Sequence, residues 1–230
     1  MAVNHDIGER IARVQERIEH ACARAGRDPG SVQLLAVSKG HPQSAIRAAH
    51  AAGLRVFGEN YAQELATKAE ALADLPDIRW RFIGHLQRNK IKLIERAGAT
   101  VDTVDSIRLA EAISSRAVAR EAEVEILLQV NIGAETQKSG CAAEELPALV
   151  EAVRALPNLR LRGLMTVAPH FEDVEAARPV FATLRVLAER HGLPELSMGM
   201  THDLEPAVEE GATIVRIGTA IFGPRPPKPD

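Results

Sequence analysis

The sequence has few cysteines, few aromatic residues and no long hydrophobic run. Only two cysteines occur, Cys22 and Cys141, and they form neither a disulfide framework nor a paired metal-ligand spacing. We therefore expect reduced thiols and no bound metal. No stretch approaches the ~20 continuous apolar residues that span a bilayer, and the charged N-terminal segment is unlike a signal peptide. The sequence thus predicts a cytoplasmic protein with no membrane partner.

Excess positive charge is also missing. The 28 Lys and Arg residues are outnumbered by 31 Asp and Glu residues, which gives a formal net charge of -3. A chain without a basic face has no field to attract a phosphate backbone, so nucleic acid is not expected as a partner. With 46% hydrophobic and 26% charged residues, the chain has the composition of a compact globular protein rather than of a disordered one.

The sequence does contain a regular alternation of β-rich runs and helical patterns. An amphipathic helix over the first ~20 residues precedes the repeating part, because apolar residues recur there at helical spacing. Eight strands are predicted, at 32–37, 55–57, 79–83, 100–104, 124–130, 160–165, 195–197 and 214–217. Helical patterns fill the intervals at 43–52, 61–73, 87–96, 107–120, 144–156, 174–190 and 202–210, with a short turn after Gly218.

Eight βα units in a row predict a parallel sheet with right-handed crossovers, which closes naturally into a (β/α)8 barrel of the TIM type. The length of 230 residues lies within the ~200–250 common for such single-domain barrels. An open doubly wound sheet is the alternative arrangement. No linker interrupts the alternation, so we expect one domain over 1–223, with an additional N-terminal helix, and a disordered tail over 224–230.

In barrels of this type the chemistry lies at the carboxyl ends of the strands, and Lys39 follows the first apolar strand directly. Burial at the barrel mouth disfavours the ammonium form, and a neutral amine is what imine formation needs. Lowering its pKa from about 10.4 to roughly 7–8 takes about 3–4 kcal/mol. The alternative is an ordinary surface lysine whose stem covers the strand end.

Two glycine-containing segments near the C-terminus predict a phosphate site. They are 197–201, after the seventh strand, and 218–220, after the eighth. Strands 7 and 8 of such barrels often bind phosphate, because glycine lets the backbone approach an anion and helix N-termini offer free N–H groups. Thr201 and Thr219 add hydroxyl donors. Ordinary turn glycines and helix caps are the alternative for either segment alone.

Three further residues near this rim carry open alternatives. Arg216 lies within the eighth strand between apolar neighbours, so it must face a polar cavity or pair with an acid. Asn60 lines the mouth or caps a helix, and His85 is a mouth residue or a packed or capping histidine. No second histidine or carboxylate stands at a metal-ligand spacing, which again predicts no metal.

The ordered set of these segments resembles the family of pyridoxal 5′-phosphate (PLP) homeostasis proteins, also called YggS or PROSC proteins, whose fold is similar to the barrel domain of alanine racemase. The matching segments are 35–39 (LAVSK), 57–61 (FGENY), 82–87 (FIGHLQ), 129–132 (QVNI), 163–165 (GLM), 196–200 (LSMGM) and 215–223 (VRIGTAIFG). They run through nearly the whole chain in order, and the ordered set is far more specific than any one of them.

The resemblance implies that the chain binds PLP as a Schiff base on Lys39 and that Arg216 faces the pyridine nitrogen. It also implies that the phosphate is held by Thr201, Gly218 and Thr219, and that Asn60 and Met198 lie near the cofactor. Similar proteins commonly have serine where Thr201 stands. Threonine keeps the hydroxyl and adds a methyl group.

The function expected from the resemblance is that of a carrier or buffer of PLP in vitamin B6 homeostasis, without robust catalysis and without catalytic residues. An arginine at the pyridine nitrogen keeps it unprotonated and weakens the electron sink. A two-base racemase also needs a second acid or base, and the only tyrosine is Tyr61. The alternatives are a PLP-dependent amino-acid racemase or lyase and a PLP-free interaction protein. PLP-dependent apoenzymes are left open as partners, as are a monomer and a weak homodimer.

Overall fold

The computed structural model describes residues 2–133, 135 and 139–225, and within them eight parallel strands close into a barrel. Each strand pairs with its neighbour in the chain, and the eighth returns to the first through pairs such as Leu35 with Arg216. The (β/α)8 barrel predicted from the alternation is therefore confirmed, and the open sheet is not the arrangement observed.

The strand and helix bounds follow the predicted alternation closely. The strands are β1 (Gln33–Val37), β2 (Val56–Glu59), β3 (Arg79–Phe82), β4 (Thr100–Val104), β5 (Val124–Gln129), β6 (Leu159–Met165), β7 (Glu195–Ser197) and β8 (Ile214–Ile217). The α-helices in the described ranges are α1 (Ala2–Arg24), α2 (Gln43–Ala51), α3 (Ala62–Ala71), α4 (Ile91–Arg96), α5 (Ile107–Ala119), α6 (Leu146–Arg154), α7 (Arg178–Arg190), α8 (Leu204–Glu209) and α9 (Thr219–Phe222).

Strand β2 is longer than the sequence predicts. The predicted strand ends at Phe57, whereas the observed one continues through Gly58 and Glu59, because these residues pair with Arg81 and Phe82 of β3. A glycine followed by a glutamate is typical of a loop. Here both residues are buried, so tertiary pairing overrides the local preference.

The side chains of the barrel separate into an inner and an outer layer, because they alternate across each strand. The barrel interior holds a small apolar cluster of Leu35, Val56, Leu127, Met165 and Ile214. The larger apolar core lies between the barrel and the helices. The apolar face of α1 joins this outer core through Ile7, Ile11, Val14 and Ile18.

An ion pair also lies inside the barrel. Arg81 Nε donates to both carboxylate oxygens of Asp102 at 3.0 Å, and Arg81 Nη2 donates to Glu195 Oε2 at 3.2 Å. Asp102 is fully buried and Arg81 nearly so. Because Glu195 is the first residue of β7, this network lies toward the amino ends of the strands. The filled interior separates the two ends of the barrel.

Two further expectations concern the membrane and the tail. None of the described helices is both long enough and apolar enough to cross a bilayer. Of the tail predicted over 224–230, only Pro224 and Arg225 are described, and residues 226–230 lie outside the described residues.

Candidate functional site

Lys39 follows the carboxyl end of β1 and is half-buried at the barrel mouth. Burial lowers the pKa of its amine, and the charges of Arg225 and Arg216 lower it further, while the Glu59 carboxylate opposes them. The amine is therefore neutral at a lower pH than the amine of a fully solvated lysine. This environment favours a reactive amine over the ordinary surface lysine that was the alternative.

Arg225 is a member of the site that sequence reasoning missed. A Cβ atom added to Gly40, which has a φ of +73°, would lie 3.2 Å from Cδ of Arg225. The arginine thus lies against the loop that carries Lys39. The residue sits in a proline-rich segment that is typical of a disordered tail, so the sequence gives no signal for this contact.

Arg216 is buried in the barrel interior, and its hydrogen-bond partners are uncharged. Its Nη1 donates to Ser197 Oγ at 3.1 Å, and its Nη2 donates to the carbonyl oxygen of Thr166 at 2.8 Å. Burial lowers the pKa of this guanidinium to about 10, so it stays cationic at neutral pH. No carboxylate in the described part of the chain lies within ion-pair distance of it. Of the two alternatives, the structure therefore favours the polar cavity over the salt bridge.

The turn after β7 depends on Gly199. Its φ is +87°, and a Cβ atom there would lie 2.4 Å from Cβ of Ala207 in α8, so no other residue fits without a shift. The turn is held by main-chain bonds, since Arg216 N donates to the carbonyl oxygen of Gly199 at 3.0 Å. Asp203 Oδ1 accepts from Met200 N at 2.6 Å. The backbone is thus fixed where the sequence predicts an anion site.

The two threonines of the predicted phosphate site follow β7 and β8. Thr201 is half-buried and Thr219 is exposed, and in the described part of the chain neither hydroxyl has a hydrogen-bond partner. Gly218 precedes α9, and a Cβ atom added to it would lie 3.2 Å from the carbonyl oxygen of Val37 at the end of β1. Gly218, one of the predicted phosphate residues, therefore lies directly beside the strand that leads to Lys39.

Asn60 does not cap α3, because the structure shows no side-chain cap at the start of that helix. Its Oδ1 is buried, and no described group hydrogen-bonds to it. His85 is neither packed nor capping, since its side chain is 62% exposed and its Nδ1 lies 3.3 Å from Ser139 Oγ and 3.9 Å from Asp105 Oδ2. Both residues line a cavity at the mouth, so for both the mouth alternative is the one observed.

Met198 is placed differently from the other predicted cofactor contacts. Its side chain is fully buried in the outer core, under the helices. Ser197 faces the barrel interior, where it accepts from Arg216, so its neighbour in the strand direction must face outward. The Met198 side chain therefore packs away from the barrel interior, and any contact with a ligand there is through its main chain.

The other predicted cofactor contacts lie on one side of the barrel. Arg216 is within β8, and the others follow β7, β8, β1 and β2, which are consecutive around the closed barrel. The arrangement combines an amine with a lowered pKa, a buried guanidinium and two hydroxyl donors. In the described ranges, no group of three or more His, Cys, Asp or Glu side chains is suited to hold a metal ion.

Comparison with known proteins gives the chain its relatives. The alanine racemase N-terminal domain family matches residues 10–226. The pyridoxal phosphate homeostasis protein of Pseudomonas aeruginosa is 52% identical over 221 residues, which cover 95% of this chain and 96% of that protein. The protein of the same name from Aquifex aeolicus is 46% identical over 223 residues, which cover 94% and 97% of the two chains.

A solved structure agrees with these relatives. PipY of Synechococcus elongatus, crystallised with PLP bound, superposes with a TM-score of 0.83 at 38% identity and covers 94% of this chain and 100% of its own. This chain therefore belongs to the alanine racemase N-terminal domain family and, within it, to the pyridoxal phosphate homeostasis proteins.

Proposed function

We propose that this chain holds PLP covalently on Lys39 and acts as a cytoplasmic carrier or buffer of PLP, without robust catalysis. The observation that carries the proposal is the half-buried Lys39 amine, whose pKa is lowered by burial, on the same side of the rim as Thr201, Thr219 and Arg216. The names of the curated relatives and the PLP-bound PipY structure support it. PLP-dependent apoenzymes are the proposed recipients.

The residues at the rim fit the chemical groups of PLP. The aldehyde would react with the Lys39 amine, whose pKa is lowered by burial. The phosphate accepts hydrogen bonds, and the hydroxyls of Thr201 and Thr219 have donors that no described group uses. Arg216 spends two of its five N–H donors on protein acceptors, which leaves donors for a pyridine nitrogen.

The same residues favour holding PLP over catalysing with it. PLP, when bound, supplies an electron-withdrawing ring that works best with a protonated nitrogen. Arg216 is cationic and can only donate there, so it keeps that nitrogen unprotonated. The two candidates for a second acid or base lie in water, since Tyr61 is 58% exposed and the His85 side chain 62% exposed. An exposed group is poorly suited to hold a proton in a water-free site.

Reduction of the PLP complex tests the proposed attachment. We expect borohydride to trap one pyridoxyl group on the peptide that contains Lys39, because among the lysines of the described ranges this amine has its pKa lowered by burial. The measurement is mass analysis of the digested, reduced protein. Lys92, which is exposed on α4, serves as the internal reference and should carry no label at equimolar PLP. A label on another lysine, or none at all, contradicts the proposal and favours the PLP-free interaction protein.

An exchange assay separates a carrier from a racemase or lyase. We expect no sustained exchange of the α-proton in a panel of amino acids in deuterated water, because Tyr61 and His85, the two candidates for a second acid or base, are both exposed to water. The measurement is proton NMR of each amino acid with the PLP-loaded protein. Multiple turnovers on any amino acid would assign the chain to the catalytic alternative instead.

A further inference from the structure

A charged cluster is buried in the outer layer of the barrel, directly beneath the Lys39 loop. It consists of Glu59 at the end of β2, and Glu64 and Lys68 of α3. Glu59 is fully buried and Lys68 is 5% exposed. Its neighbours in the same layer include the apolar residues Ala36, Phe57 and Leu65, which are fully buried. The cluster therefore places charged groups where apolar side chains could pack.

The three donors of the Lys68 ammonium are all used. Its Nζ donates to Glu59 Oε1 at 2.7 Å, to Glu64 Oε1 at 2.6 Å and to the carbonyl oxygen of Ser38 at 2.7 Å. A lysine has no further donor. Two of these bonds form the ion pairs of the cluster, and the third ties α3 to the residue before Lys39.

The cluster holds the chain on both sides of Lys39. Before it, the Ser38 hydroxyl donates to Glu59 Oε1 at 2.6 Å, in addition to the bond that the Ser38 carbonyl receives. After it, the amide of Gly40 donates to Glu64 Oε1 at 2.6 Å. Because side chains alternate along β1, Ser38 faces this cluster while Lys39 faces the barrel mouth.

Stability alone is a weak reason for such a cluster. Replacing a buried ion pair with apolar residues of similar volume is often neutral or stabilising, because desolvation offsets the attraction. The cluster is also incomplete in itself, since Glu59 Oε2 is buried and has no hydrogen-bond partner in the described ranges. What its bonds do achieve is to fix two peptide groups next to one reactive amine.

We propose that Glu59, Lys68 and Glu64 are positioning residues that hold the 38–40 segment so that the Lys39 amine is presented to the PLP aldehyde. This inference rests on the proposed attachment of PLP to Lys39. The residues act through the main chain of Ser38 and Gly40 and do not touch the cofactor themselves.

A double variant, Glu59→Gln with Lys68→Met, removes the bonds of the cluster without changing its net charge. It removes one negative and one positive charge, so the net charge of the cluster is unchanged, and it leaves Glu64, the more exposed of the two acids. The amide oxygen of the introduced glutamine can still accept from Ser38, while the bond from the Lys68 ammonium to the Ser38 carbonyl is lost. The matched control is Glu95→Gln with Arg116→Met, an ion pair between α4 and α5 on another side of the barrel.

Three measurements are made on each protein. In the PLP-free protein, we expect the amides of Gly40 and His41 to exchange their hydrogens about tenfold faster in the double variant. The reason is that the segment that carries them loses the hydrogen bond from the Lys68 ammonium to the Ser38 carbonyl. We expect PLP attachment, trapped by borohydride over time, to slow by about tenfold to a hundredfold, because a misplacement of about 1 Å costs this much. Binding of 4′-deoxypyridoxine 5′-phosphate, which has no aldehyde, should change by less than about twofold, because it needs no Lys39 amine.

The outcomes separate this inference from the function on which it rests. If the wild-type protein forms no adduct on Lys39, the proposed function is wrong, and the exchange of the two amides still shows whether the cluster holds the segment. If attachment is unchanged in a double variant whose amides have lost protection, the positioning role is wrong. Unchanged protection overturns it equally. If the double variant melts early, Ser38→Ala removes one hydroxyl bond alone and should slow attachment by about tenfold, since a hydrogen bond to the charged Glu59 carboxylate is lost.

Discussion

Replacing Lys39 with alanine is expected to abolish the borohydride-stable PLP adduct completely. The variant has no amine at the end of β1, and the aldehyde has no other buried amine at the mouth among the described residues. Lys68 is buried as well, but its three donors are already bonded to the protein. The visible absorption of the imine should disappear with the adduct, and mass analysis should find unmodified protein.

Weak non-covalent binding should survive in the same variant. Thr201, Thr219 and Arg216 are unchanged, and they are the residues proposed to donate hydrogen bonds to the phosphate and the ring. The control is Lys92→Ala, which removes an exposed amine of α4 and should leave the adduct intact. If Lys39→Ala still yields a full equivalent of adduct, the attachment point lies elsewhere and the function of the rim must be assigned again.

Replacing Asp102 with alanine is expected to lower the free energy of unfolding more than any of the other substitutions considered. The substitution leaves the buried Arg81 guanidinium with Glu195 alone, at 3.2 Å, and breaking a buried pair costs about 3–5 kcal/mol. For a chain of this size, that lowers the melting temperature by roughly 6–20 °C. Thermal unfolding of the PLP-free protein, followed by circular dichroism, measures it.

Two comparisons give this prediction its controls. Asp74→Ala removes a carboxylate from an exposed pair with Arg47, where solvent screens the charges, so the melting temperature should change little. Arg81→Met with Asp102→Leu removes both buried charges at once and should recover most of the stability lost in the single variant, because no charge remains uncompensated. A single variant as stable as the wild type would show that water or a rearranged neighbour compensates Arg81.

The parts of this molecule that could be predicted are those that depend on local pattern. The alternation of β-rich and helical segments predicts the closed barrel, and the position of a residue after a strand predicts that it lies at the rim. This rule places Lys39, Thr201 and Thr219 at the rim, and the glycine-containing segments beside the two threonines predict an anion site there. Arg216 was found because a charge between apolar neighbours is conspicuous in any sequence.

The parts that could not be predicted depend on contacts between distant segments. Glu59 and Lys68 each look like ordinary solvated residues, and only the packing of α3 against β2 makes them a buried pair. Arg225 lies against Gly40 although the two residues are far apart in the sequence. The outward direction of the Met198 side chain follows from the inward Ser197, which is known only from its bond to Arg216.

The filled interior of the barrel has a consequence for how a cofactor can be handed on. Five apolar side chains and the ion pair of Arg81 with Asp102 fill the interior of the barrel. As far as the described residues show, a molecule bound near Lys39 therefore leaves through the same end of the barrel by which it enters. A recipient cannot draw it out from the far end. If the chain passes PLP on as proposed, the cofactor is either released into water or taken by a recipient that faces this opening, and in both cases the residues around the opening control the rate.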